Sequence, residues 1–67
     1  MKVSDVEKDV AEIEAMKRDD EMAHSFEDAL YEKVLIAIRD REPGDDPADL
    51  AKAALKTQEI EFARWCA

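Results

Sequence analysis

Residues 18–40, RDDEMAHSFEDALYEKVLIAIRD, decide the fold. From Met22 onward the apolar positions Phe26, Ala29, Leu30, Val34, Ala37 and Ile38 recur at steps of three and four, the spacing of one face of an α-helix. Tyr31, Leu35 and Ile36 widen that face from about half the circumference to about 260° at 100° per residue, so this helix is expected to be touched from two sides. Asp19 or Asp20 is the expected N-cap, because a short acidic side chain accepts orphan backbone N–H groups where the helix dipole favours negative charge. One long bent helix running through residues 17–22 is the alternative.

Two further segments flank this central one. Ser4-Asp5-Val6-Glu7 fits a capping box, and Val3, Val6, Val10, Ile13 and Met16 follow as a narrow apolar stripe, which predicts a helix over about 4–18. The second helix is expected over about 20–41. Pro43, Gly44 and the pair Asp46-Pro47 interrupt the pattern, giving a loop at 42–46 and an N1 proline opening the third segment over about 47–66.

On one unbroken third helix, Leu50, Ala51, Ala54, Leu55, Phe62, Trp65 and Cys66 share a sector of about 160°, and Ile60 falls outside it. A break near Thr57, with a short last helix at 58–66, is the alternative. The expected fold is therefore all-α, a small three-helix domain with the second helix central, and Phe26, Tyr31, Phe62 and Trp65 as its bulky filling. A chain of 67 residues buries only about 60% of its unfolded surface, so one domain with a thin core is all it can build.

Composition narrows function. Eighteen acids against ten bases give a net charge of -8, which opposes direct binding to nucleic acid or to an anionic membrane. The single Cys66 cannot close an internal disulfide, and no basic start followed by an apolar run marks a secretory signal, so a cytoplasmic location is expected. Core burial or idleness at the chain end is the reading of Cys66 itself. One Gly, one Cys, one His and two Ser cannot assemble a phosphate loop, a zinc pattern or a nucleophilic triad. No enzyme activity, catalytic residue or cofactor is expected.

Glu21 and His24 have the Glu-x-x-His spacing by which one helix of a di-iron bundle offers two ligands, and Glu27 and Asp28 could add oxygens. With a single histidine, such a site would need a dimer built around His24. His24 and Asp28 lie on the helix flank, about 160° from Phe26, with Glu21 and Glu27 about 140° and 100° from it, and the expected role of His24 is pairing with Glu21, Glu27 or Asp28 along the helix.

Residues 1–28 hold ten acids against four bases and residues 40–49 hold five against one. Such density is first of all a solvated face that keeps a small core soluble, with an acidic DNA mimic that inhibits a nucleic-acid-binding protein as the alternative. Tyr31, Leu35 and Ile60 are the apolar residues hardest to place in one thin core, and so are the candidates for binding a partner or forming a homodimer. The expected function is an acidic, non-enzymatic protein-interaction module.

DDEMAHSFEDALYEKVLIAI, followed by the Pro/Gly loop and ALKTQEIEFARWCA, resembles small acidic helical proteins of unassigned function from bacteriophages of actinobacteria. The likeness covers residues 19–67, leaves the first helix outside it, and is strongest at His24 with Glu27 to Leu30 and at the ending from Phe62 to Ala67. It implies a non-structural phage product in the host cytoplasm that acts by binding a host protein, and it implies no activity.

Overall fold

The protein is described by a computed structural model covering residues 1–64. Helix α1 spans Val3–Ala15, α2 spans Asp20–Arg39 and α3 spans Pro47–Ala54. A 3₁₀ turn over Leu55–Glu59 continues α3, and the chain then runs on without helix through residues 60–64. Among the described residues there is no strand. The all-α class and the three helices are as expected; α2 packs against both α1 and α3, but those two pack against each other at least as extensively, so each helix touches both others and the second is not singled out as central.

The expected break before the second helix is present. Asp19 is the N-cap, its Oδ1 accepting the Met22 N–H at 3.0 Å. Residues 16–18 form a turn, so α1 is shorter than the expected 4–18. At the far end of α2, Arg41 takes a positive φ of 52° while the Arg41 N–H donates to Ile38 O and the Glu42 N–H to Ala37 O, a Schellman closure. This ends the helix at Arg39, two residues before the expected 41. Asp46 caps α3 by accepting the Ala48 N–H at 2.7 Å, with Pro47 in the first turn.

The start of α1 differs from the Ser4 capping box. Lys2 is the N-cap, and its backbone N–H donates to Asp5 Oδ2 at 2.9 Å. The Val3 N–H donates to Asp45 Oδ2 at 2.7 Å, across 42 residues of sequence. The loop between α2 and α3 thus supplies a carboxylate that displaces the local Ser4 cap. The same loop grips Met1, whose amino nitrogen lies 2.9 Å from Glu42 Oε1 and 2.7 Å from Pro43 O, while the Asp45 N–H donates to Met1 O. Gly44, at φ 151°, lies so close to Met1 that a Cβ there would meet the Met1 carbonyl oxygen.

Val6 and Ile13 of α1, Ala23, Leu30, Val34 and Ala37 of α2, Leu50, Ala53 and Ala54 of α3, and Ile60 form the core. Val3, Val10 and Met16 pack at its edge, so the α1 stripe holds. The third helix breaks, as the alternative anticipated, with α3 ending at Ala54 and the 3₁₀ turn at Glu59, but no short last helix follows over residues 60–64. The reason lies in the period: a 3₁₀ turn has three residues per turn, so Ala54, Thr57 and Ile60 come onto one face, and all three are buried. Ile60, expected outside the core, is only 6% exposed. Phe26 moves the other way. The buried row of α2 is Ala23, Glu27, Leu30, Val34 and Ala37, which leaves Phe26 on its flank and 42% exposed, in a shallow cleft with Ile13, Ala29 and Lys33. Trp65 and Cys66 lie outside the described residues.

Candidate interaction surface and the buried Glu27–Arg64 pair

The buried row of α2 carries one charge. Glu27 occupies the core-facing position between Ala23 and Leu30 and is 2% exposed. Arg64 reaches it from the C-terminal segment with Nε to Oε1 at 2.8 Å and Nη2 to Oε2 at 3.1 Å, a two-pronged contact that fixes both planes. The same Nη2 shares its two hydrogens with Thr57 O at 2.7 Å, which also accepts the Ile60 N–H, and with Ile60 O at 3.0 Å, and so ties down the end of the 3₁₀ turn. The guanidinium also lies over the Phe62 ring, 3.9 Å from its centroid.

Burial by itself would raise the Glu27 pKa. Hydrogen bonds from Arg64 and from the Thr57 hydroxyl, with the charges of Arg64 and His24, outweigh it and hold the carboxyl below its ordinary value. The bond to Glu27 raises the Arg64 pKa in turn. Thr57 has one proton, given to an acceptor-only carboxylate, so the Tyr31 hydroxyl must donate to Thr57 Oγ1 and receive in its turn the Gln58 Nε2–H at 2.8 Å. A single chain of donors then runs from Gln58 through Tyr31 and Thr57 to Glu27. No buried side-chain polar atom among the described residues lacks a partner.

This arrangement reassigns the histidine cluster. His24 sits at the edge of the pair, with Nε2 3.7 Å from Asp28 Oδ1, while Glu21 is exposed. Glu27, offered by the sequence as a metal oxygen, instead points inward and is committed to Arg64 and Thr57. Among the described residues no group of three or more His, Cys, Asp or Glu side chains could hold a metal ion. The residue that sequence reasoning missed is Arg64. The available signal was an acid in the middle of an apolar row, which requires a buried cation.

A second feature faces solvent. Between α2 and α3 lies an open apolar groove of about 250 Å³, lined by Tyr31, Val34, Leu35, Ile38, Ala51, Ala54 and Leu55. Leu35 is 66% exposed and Leu55 58% exposed. On the outer side of Leu35 the apolar surface continues to Ile36, bordered by Glu32 and Arg39. Of the three candidate partner-binding residues, Tyr31 and Leu35 are on this surface. Ile60 is not, because the 3₁₀ turn carries it inward.

No family model matches the sequence, and the comparisons with curated proteins and with solved structures return no match. Among the described residues no helix is long and apolar enough to cross a membrane.

Proposed function

We propose that the chain is a non-enzymatic protein-interaction module whose contact surface is the apolar groove of α2 and α3. The observation that carries this reading is the exposure of Leu35 and Leu55 on either side of one groove, on a chain that is 42% charged. Exposed leucines that face each other across an apolar floor are a contact surface rather than scattered surface residues. The groove is too open and shallow to enclose a small substrate, for which an enclosed cavity of roughly 300–1,000 Å³ is usual.

The occupant of the groove brings its own satisfied backbone. Helical walls offer no free N–H or C=O row, so an extended peptide would leave its polar groups unpaired against an apolar floor, whereas an amphipathic helix would not. The net charge of -8 speeds encounter with a basic partner, and the leucines supply the affinity. The likeness to small phage proteins makes a host cytoplasmic protein the first place to search.

A photo-crosslinking residue at position 51, on the groove floor, tests this in cell lysate. The expected result is one discrete product that is lost in Leu55→Glu and not formed from position 12 on α1, and the captured protein, once purified, binds the chain at least about tenfold more weakly after Leu55→Glu. Equal products from both positions would refute the reading.

A further inference from the structure

We infer that the outer face of α2 is a self-complementary surface that pairs with the same face of a second copy of this chain. This rests on the proposal that the exposed apolar surface is an interface, and it names the occupant of one part of it. Glu32, Leu35, Ile36 and Arg39 are all exposed and recur at steps of three, one and three, so they form one stripe about 170° from the buried row of α2. A second apolar stripe opposite the core has no role in folding the monomer. It also carries charge in a specific order, with an acid at its N-terminal end, two aliphatic residues at its centre and a base at its C-terminal end.

That order is symmetric about a point between Leu35 and Ile36. If a second α2 is laid antiparallel across a twofold axis at that point, Leu35 of each copy meets Ile36 of the other. Glu32 of each copy, about 10 Å from Arg39 along its own helix, then stands opposite Arg39 of the other. Both cation–carboxylate pairs are therefore formed by one operation, and no like charges meet within the stripe. The present partner of Arg39 is its neighbour Asp40, at 2.8 Å with both side chains more than half exposed, a contact weak enough to be exchanged. Leu35 also forms a wall of the groove, so pairing through the outer stripe extends apolar contact toward Leu55. The charge of -8 on each copy opposes association at long range, but at physiological salt the screening length is about 8 Å, and the local match decides.

Sedimentation equilibrium of the full chain over a wide concentration range, at physiological salt, reads the result. The expected behaviour is a reversible monomer–dimer equilibrium. Leu35→Glu should weaken it by at least about 100-fold, because every lost contact counts twice across the axis. Arg39→Glu should weaken it about tenfold by setting acids opposite acids, and adding Glu32→Arg to that variant should return it to within about threefold of the parent, since the reversed order is again self-complementary. All these positions are exposed, and far-UV circular dichroism checks that each variant remains helical. A chain that is monomeric throughout overturns the dimer while leaving the crosslink from position 51 to decide the interaction reading. A dimer indifferent to Leu35→Glu, or a double reversal as weak as the single one, overturns the pairing.

Discussion

Arg64→Ala isolates the charge in the core. At neutral pH the substitution strips the Glu27 carboxylate, 2% exposed in the parent, of its cationic partner, while the Ile60 carbonyl loses the Arg64 donor and Thr57 O keeps only the Ile60 N–H. Removing one member of a buried pair costs about 3–5 kcal/mol. The Arg64 side chain is 28% exposed, so water can enter the vacated space, which favours the lower end of that range. A domain of this size has roughly 3–10 kcal/mol in total, so the variant should lose a third or more of its stability at 25 °C. Urea unfolding followed by far-UV circular dichroism measures the difference.

The pH dependence makes the assignment specific. In the parent the Glu27 pKa is lowered in the folded state. Its stabilising contribution is therefore complete above the unfolded value of about 4.3 and is lost as pH falls through the folded one. In Arg64→Ala, burial dominates and the folded pKa rises above the unfolded value. The carboxyl then destabilises the fold at neutral pH and ceases to do so as pH falls toward 4.3. The gap between parent and variant must shrink on acidification from pH 7 to about 4.5. A cost under about 1 kcal/mol at pH 7, or a gap that is constant or widens as pH falls, would refute the buried-pair reading. Replacing both partners by apolar residues, Glu27→Leu with Arg64→Met, should recover most of the loss.

Thr57→Val keeps the shape but removes the hydroxyl linking Tyr31 to Glu27, and should cost about 1–3 kcal/mol in urea unfolding. Gly44→Ala forces a Cβ against the Met1 carbonyl at a positive φ, and should cost about 1–3 kcal/mol and move the amide resonances of residues 1–5 and 42–45. Arg41→Gly relieves a non-glycine residue held at φ 52° in the Schellman closure, and should raise stability by up to about 1 kcal/mol, read as a higher Tm.

The parts of this fold that were legible in the sequence are those whose cause is local. Asp19, the Asp46-Pro47 pair and the stripe from Val6 to Ile13 each act within one or two turns, and each has its expected role. Ser4 does not cap the helix because Asp45 reaches the first turn of α1 instead, at Val3, across 42 residues. The candidate site was only half legible for the same reason. Leu35 and Tyr31 announced themselves as surplus apolar residues on one helix, whereas Arg64 meets Glu27 across 37 residues.

Ile60 departs from its expected place because the period changes after Ala54, and Glu27 because the buried row of α2 is centred on Ala23, Leu30, Val34 and Ala37 rather than on Phe26. At 100° per residue Ile60 faces away from Leu50 and Ala54, but three residues per turn after Ala54 bring Thr57 and Ile60 under α2. That change of period is what positions the buried charge. With Thr57 turned inward, its hydroxyl meets Glu27 and its carbonyl meets Arg64, so the ion pair and the 3₁₀ turn stand or fall together. An α-helix continued through residue 60 would keep Thr57 about 20° from Leu50, but it would occupy the Thr57 carbonyl with a helical N–H and turn Ile60 about 80° away. The acid in the core and the break in the third helix are thus one structural decision, written in the sequence as an acid within an apolar row and a threonine three residues before an otherwise misplaced isoleucine.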